Sequence, residues 1–351
     1  MHMADALISP AVGGTMWAVS GGLAAYSAKK VREEADDRKV PLMGVLGAFI
    51  FAAQMLNFAI PATGSSGHIG GGLLLSILLG PYAAYLVLAS VLTVQALFFA
   101  DGGLLALGCN MANMGLFTCF LAYPLIYKKI TAGVLDKKRV VLGAALAAVI
   151  GLQFGAFGVV LETMASGISE LPFKTFVLLM QPIHLAIGIV EGLVTAGVVS
   201  FMLEARPEIL RAAARREPIG VSVKGALLAL GCAAALTGCV LSRFASSRPD
   251  GLEWAMSRIS GGKEWEGKDG LHQTLASLRE KTAFLPDYGF KRRGQAADAK
   301  AQQPAAETAA AQPAVDKGTS VAGLAGGLFT LLLAGLAGFI FAGRKAPLKE
   351  R

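Results

Sequence analysis

The residues best placed to do chemistry are the first two, Met1-His2, and the histidine of the loop Pro61-Ala-Thr-Gly-Ser-Ser-Gly-His68-Ile-Gly-Gly-Gly72. A free α-amine on Met1 can bind a metal ion. The amide nitrogen of His2 then closes a five-membered chelate ring, and its imidazole Nδ1 a six-membered one. A fourth nitrogen from His68 would complete a flat N4 set, a geometry suited to Ni(II), Cu(II) or low-spin Co(II). Capture by nitrogens that must shed protons would release protons and weaken in acid. The same residues also fit a plainer reading, in which His2 belongs to a frayed terminus and His68 to an ordinary glycine-rich loop.

What must position these residues is a membrane protein. Hydrophobic residues make up 54% of the 351-residue chain and charged residues only 16%, too few charges to cover a soluble protein of this size. The net charge of +8 is gathered in short segments between apolar runs. That pattern reads as membrane topology and excludes a nucleic-acid-binding surface. The first basic residue is Lys29, behind an apolar run, so a signal peptide is not expected and the N-terminus is placed outside. Cys109, Cys119, Cys232 and Cys239 all lie in apolar segments without CxxC spacing and read as small buried hydrophobes.

Taken in order, spans are expected at 11–28, 41–60, 81–100, 104–127, 140–161 and 173–203, with a short or re-entrant segment at 69–80. A broken element of that kind needs protein around it. Counting it as a crossing puts Lys29–Lys39, Lys128–Arg139 and Arg206–Arg216 on one side and the N-terminus and His68 on the other. The fold class is therefore an all-α polytopic membrane protein of about seven transmembrane helices, followed by a two-helix module. We divide the chain into a metal-binding unit at 1–205, a basic cytoplasmic linker at 206–222 and an accessory module at 223–351. That module has spans at 224–241 and 321–342, joined by a polar extracytoplasmic loop at 242–320. Residues 294–318, rich in Ala, Gln and Pro, read as disordered.

Five further polar residues could support the site. Asp101, Asn110 and Asn113 flank the fifth span, and the two asparagines share a helix face. They could orient the His68 ring or simply make interhelical hydrogen bonds. His184 and Glu191 share a face inside the seventh span, as a functional pair or as a mutually satisfied packing pair. Met3 could bring a thioether near the metal or serve as packing. Gly21, Ala24, Ala25 and Ala28 form a small-residue stripe suited to helix packing within the chain or to docking of a partner. The segment 262–268 has phosphate-loop spacing, but Asp269 replaces the Ser or Thr such a loop needs. No ATPase motif is present.

Met1-His2, the glycine-flanked His68, Asp101-Gly-Gly-Leu-Leu-Ala-Leu-Gly-Cys-Asn110-Met-Ala-Asn113 and His184-Leu-Ala-Ile-Gly-Ile-Val-Glu191 resemble the CbiM/NikM family over roughly residues 1–205. These are the substrate-binding membrane components of energy-coupling-factor (ECF) importers for cobalt and nickel. Pro249-Asp-Gly-Leu-Glu-Trp254 resembles the PDGLE motif of their small companion, here fused. The resemblance implies that Met1, His2 and His68 hold the transported Ni(II) or Co(II), with no prosthetic group. It also implies an ECF transmembrane scaffold and cytoplasmic ATPase subunits as partners, in a bacterial inner membrane. The family's usual start, Met-His-Ile-Pro-Asp-Gly, reads Met1-His-Met-Ala-Asp-Ala6 here. No residue of the PDGLE motif has metal-site spacing, so its expected role is accessory. The competing reading is a secondary metal carrier driven by an ion gradient, with His184 and Glu191 as its relay.

Overall fold

The computed structural model describes residues 2–341 except 35, 133–135, 170, 262–268 and 291–316. The expected site residue Met1 and positions 294–316 of the low-complexity stretch lie outside the described residues. The other two residues of that stretch, Lys317 and Gly318, open the last helix.

The apolar runs fold as helices because a chain in lipid must satisfy its backbone internally. The order is α1 (Pro10–Glu34), α2 (Lys39–Gln54), a two-rung hairpin of β1 (Phe58–Ala59) and β2 (Ser66–Gly67), α3 (Gly72–Leu79) and α4 (Pro81–Phe98). Then come α5 (Leu107–Thr131), α6 (Lys137–Ser166), α7 (Phe173–Ala205) and α8 (Pro207–Arg215). The C-terminal part contributes α9 (Lys224–Cys239), α10 (Gly251–Ser260), α11 (Gly270–Thr282) and α12 (Lys317–Phe341). Among the described residues six helices (α4 to α7, α9 and α12) are long and apolar enough to cross a membrane; α2 is a shorter apolar helix, and α1, expected as a span at 11–28, is not one of the six. The protein is an all-α, multi-pass membrane protein.

The short element α3 is buried at all eight of its residues, so protein encloses a helix too short to cross lipid alone. Its ends are set by Gly71 (φ +80°) and Gly80 (φ +83°), both in the left-handed region that glycine alone enters without cost. Helix α5 is wound as a π-helix from Ala112 to Tyr127 with Pro124 inside it. That winding is uncommon and concentrates at functional sites.

At four places the structure adds to or departs from the sequence reading. The linker 206–222 contains α8, because Pro207 opens a new helix and Ile209, Leu210, Ala212 and Ala213 bury one face. The polar loop 242–320 contains α10 and α11, each begun by an aspartate side chain (Asp250, Asp269) that accepts a first-turn N–H. Cys109 and Cys119 are buried as expected, but Cys232 is exposed on the outward face of α9. Gly21 and Ala25 of the small-residue stripe are likewise exposed and do not pack within the chain.

Helices α9 and α12 bind the C-terminal part to α2 through close glycine contacts. A Cβ on Gly323 would lie 2.0 Å from the Gly238 carbonyl oxygen, and one on Gly326 1.9 Å from Phe51 Cζ. Gly335 of the same helix has nothing within 4 Å. Small residues let membrane helices approach backbone to backbone, where dispersion accumulates. Gly323→Val should therefore destabilise the protein by about 1–3 kcal/mol through overpacking. Its thermal midpoint in detergent should fall by several degrees, while that of Gly335→Val stays at the wild-type value.

Candidate metal centre

The N-terminal arm precedes the first helix and has no ladder of its own, so its polar groups are met by side chains and by the turn before α5. Asn110 works as a surrogate strand. Its Oδ1 accepts the Met3 N–H (2.8 Å) and its Nδ2 donates to the Met3 carbonyl (3.3 Å), which also accepts from Gly103 N (2.8 Å). Asp5 accepts three backbone N–H groups, from Leu104 (3.1 Å), Leu105 (2.7 Å) and Ala106 (3.0 Å). A carboxylate set against the N–H groups at a helix start is electrostatically favourable. Position 103 must be glycine, since a Cβ there would sit 1.9 Å from Asp5 Oδ1.

The second histidine stands where β2 runs into α3. The hairpin pairs Phe58 with Gly67 and Ala59 with Ser66, and the glycines beyond His68 are held from below. Gly70 N–H and Gly71 N–H each donate to a Glu191 oxygen (2.7 and 3.0 Å), while the Gly70 carbonyl accepts from Gln54 (2.8 Å). Gln95 in turn donates to Gln54 (2.8 Å). On the other side, Ser66 N donates to the Pro249 carbonyl (2.8 Å) and Ser66 Oγ to the Arg248 carbonyl (2.7 Å). The PDGLE segment thus runs beside the strand that carries His68.

The arm and the loop bring two imidazoles together. The rings of His2 and His68 stack at a centroid distance of 4.9 Å and an interplanar angle of 19°. Both Nε2 atoms are buried and have no hydrogen-bond partner among the described residues. His68 Nδ1 is 3.0 Å from the Ile69 carbonyl oxygen. A carbonyl only accepts, so Nδ1 carries the proton and Nε2 offers a lone pair. His2 Nδ1 faces Asp101 Oδ1 at 3.2 Å. Loss of solvation on burial is the largest influence on both histidines and depresses each pKa from 6.5 to about 3. Both rings are therefore neutral at ordinary pH, the state a metal ligand requires. Among the described residues no three His, Cys, Asp or Glu side chains gather as a metal site. A four-donor set here needs main-chain nitrogen as well as the two rings.

A small cavity opens beside His68, lined also by Gly67, Gly70, Met114, His184 and Asp250. His184 Nδ1 contacts the Met180 carbonyl (2.8 Å), leaving a buried Nε2 without a hydrogen-bond partner among the described residues. His184 and Glu191 do not pair with each other; the carboxylate serves the glycine loop and the imidazole the cavity wall. The asparagines do not orient His68 either. Asn110 holds the arm, and Asn113 donates to Glu162 (2.6 Å) and lies 3.7 Å from Met3 Sδ. Met3 is fully buried by this packing. Asp101 meets His2 rather than His68, because the turn at Ala100 and Gly102, both at positive φ, aims it at the arm.

Sequence reasoning missed Asp5, Gln54, Gln95, Glu162 and Asp250. Amides and a carboxylate inside apolar runs were the available signal for Gln54, Gln95 and Glu162. Asp250 stands in the sequence only as part of the PDGLE motif, yet it lines the cavity and caps α10.

Residues 2–209 match the family model for the cobalt uptake substrate-specific transmembrane region, CbiM, and residues 224–343 match the PDGLE domain. A fused nickel transport protein, NikMN, of Rhodobacter capsulatus is 30% identical over 316 residues, covering 82% of this chain and 88% of that protein. A cobalt transport protein, CbiM, of Sorangium cellulosum is 32% identical over 190 residues, 51% of this chain and 80% of that one. The crystal structure of a transition metal transporter superposes with a TM-score of 0.53 at 32% identity, covering 59% of this chain and 95% of that one. A truncated transition metal transporter gives 0.52 at 32% identity, with 58% and 99% covered. Arm, glycine loop and accessory segment thus occur together in a chain that belongs to the CbiM family, with a PDGLE domain fused behind it.

Proposed function

We propose that this chain is the substrate-binding membrane component of an ECF-type importer for Ni(II) or Co(II). In this reading the Met1 amine, the His2 amide and imidazole, and the His68 imidazole capture the ion at the outer face of a bacterial inner membrane. One observation carries it: the imidazole of the chain's second residue stacks on the loop imidazole 66 positions later, whose buried Nε2 has no hydrogen-bond partner among the described residues. Burying such a nitrogen is costly unless a ligand meets it. Chelation through His2 Nδ1 requires that atom to exchange Asp101 for the metal. The basic segment at the far end of α1, Lys29–Arg32, supports an outer location for the arm by the positive-inside rule. The chain has no ATPase motif, so hydrolysis falls to separate cytoplasmic subunits acting through a membrane scaffold. The separation of Glu191 from His184 leaves no carboxylate–imidazole relay in α7 and weighs against a gradient-driven carrier.

One extra residue ahead of Met1 displaces the amine from the chelate. Ni(II) binding to purified protein, read by titration calorimetry, should then fall by orders of magnitude while the thermal midpoint of the metal-free protein holds. Wild-type affinity in the extended chain would refute the terminal chelate. His68→Ala should cost far more affinity than His184→Ala, and the reverse order would move the site to the inner cavity. The histidines also set a pH dependence in the metal-free protein. As pH falls from about 6.5 toward 3, unfolded His2 and His68 take up protons that the folded rings refuse, so stability is progressively lost across that window. The thermal midpoint should drop over this range, with a shallower slope in His68→Gln.

A further inference from the structure

The fused PDGLE module reaches the N-terminal arm with two side chains. The imidazole of His272, on α11, is buried, and its Nε2 lies 2.9 Å from the Asp5 carbonyl and 3.0 Å from the Ile8 carbonyl. Two carbonyls can only accept, so Nε2 carries the proton and is shared between them. Its Nδ1 lies 2.8 Å from Asp269 Oδ2, an ion-pair contact for the protonated ring without hydrogen-bond geometry, and Asp269 caps α11 through the His272 N–H (2.9 Å). The ring is thus oriented from its own helix and clasps the short helical turn Asp5–Leu7 from outside. The second side chain is Tyr288. Its hydroxyl donates to Asp101 Oδ2, the carboxylate whose other oxygen faces His2 Nδ1. Its ring stacks on Phe99 at 5.1 Å, and the Asp287 N–H donates to the Phe99 carbonyl (2.8 Å). Asp287 and Tyr288 both hold positive φ (50° and 60°). Non-glycine residues persist there only where their surroundings over-determine them, as at ligand clamps.

We propose that His272 is a positioning residue for the terminal metal ligands, fixing the base of the arm, and that Tyr288, by donating to Asp101 Oδ2 and taking up part of its charge, eases the release of His2 Nδ1 to the ion. This rests on the reading that Met1 and His2 bind the ion. The argument is geometric. A chelate made by a chain end is only as well organised as the arm that carries it, and between His2 and α1 that arm has a single short helical turn, Asp5–Leu7. Asp5 and Asn110 grip the arm from the membrane unit; His272 grips it from the opposite side. Groups that orient a metal ligand from behind typically contribute 10–100-fold in affinity.

The test uses the full-length chain and Ni(II) alone as probe. His272→Ala and Tyr288→Phe should each raise the dissociation constant about 10-fold. Tyr288→Phe keeps the ring that packs on Phe99, and His272→Gln keeps a donor near the Nε2 position, so the glutamine should recover most of the affinity lost by alanine. A second readout needs no metal. The rate at which an amine-selective acylating reagent modifies the N-terminus should rise in His272→Ala, and not in His272→Gln. Wild-type affinity in both variants would overturn the proposal, as would wild-type acylation in His272→Ala or a glutamine variant no better than alanine. The chain extended ahead of Met1 separates the two ideas. If it still binds Ni(II) at wild-type affinity, the terminal chelate itself is wrong; if it loses binding while His272→Ala and Tyr288→Phe do not, only the positioning role fails.

Discussion

An irregular peptide arm can be packed against a membrane protein only when its backbone polar groups are met. Here that demand falls on Asp5 and Asn110. One carboxylate collects the three N–H groups of Leu104, Leu105 and Ala106, and one amide pairs with both faces of Met3. Hydrogen bonds to an ionised acceptor are worth about 1.5–3 kcal/mol each, against about 1 kcal/mol for neutral ones. The arm is therefore tied to the start of α5 by its strongest contacts three residues beyond His2. Everything proposed for the metal follows from this tether, because it fixes where the second residue can reach.

The loop imidazole is positioned by the opposite device. Glycine at 70–72 supplies close approach and a left-handed turn but no side chain to anchor, so the anchors come from helices. Glu191 on α7 takes two loop N–H groups, Gln54 on α2 gives to the Gly70 carbonyl, and Gln95 on α4 backs Gln54. An ionisable side chain within a span is expensive unless paired or functional. Glu191 meets that condition by giving the loop a fixed floor, and it links the position of His68 to the packing of three helices.

The fold class was legible in the sequence because composition and charge placement determine it. The apolar runs gave the helices and the short third segment, which needed only the recognition that protein surrounds it. The candidate ligands were legible by chemistry, since a terminal His and a glycine-flanked His are rare in so apolar a chain. What supports them was not. Asp101, which the spacing offers to His68 or to an interhelical bond, serves His2, and His184 and Glu191, which share a face, part company. Helical spacing tells which residues share a face, but not which loop lies opposite that face. Asp5 carried a signal that was passed over: of the family's opening residues beyond the first two, the aspartate is the one this chain keeps. Helices α10 and α11 were hidden because their apolar content is low, although Asp250 and Asp269 each sit where an N-cap belongs.

The fused module explains why contacts between such distant positions can persist. His272 meets the Asp5 and Ile8 carbonyls across 267 and 264 residues of chain, and two hydrogen bonds alone would not offset the entropy of closing so long a loop. They do not have to. Helix α9 is already locked against α12 and α2 through Gly238 and Gly323, so the segment carrying α10 and α11 starts from a docked helix end. PDGLE then pairs with Ser66, which adds a second fixed point before His272 is reached. Each contact is local relative to the one before it, and the ordering cost is spread along the path. Joining module and membrane unit in one chain also holds them at one-to-one stoichiometry and high effective concentration. Both the arm and the loop are therefore gripped from two sides, by helices from within and by the module from without.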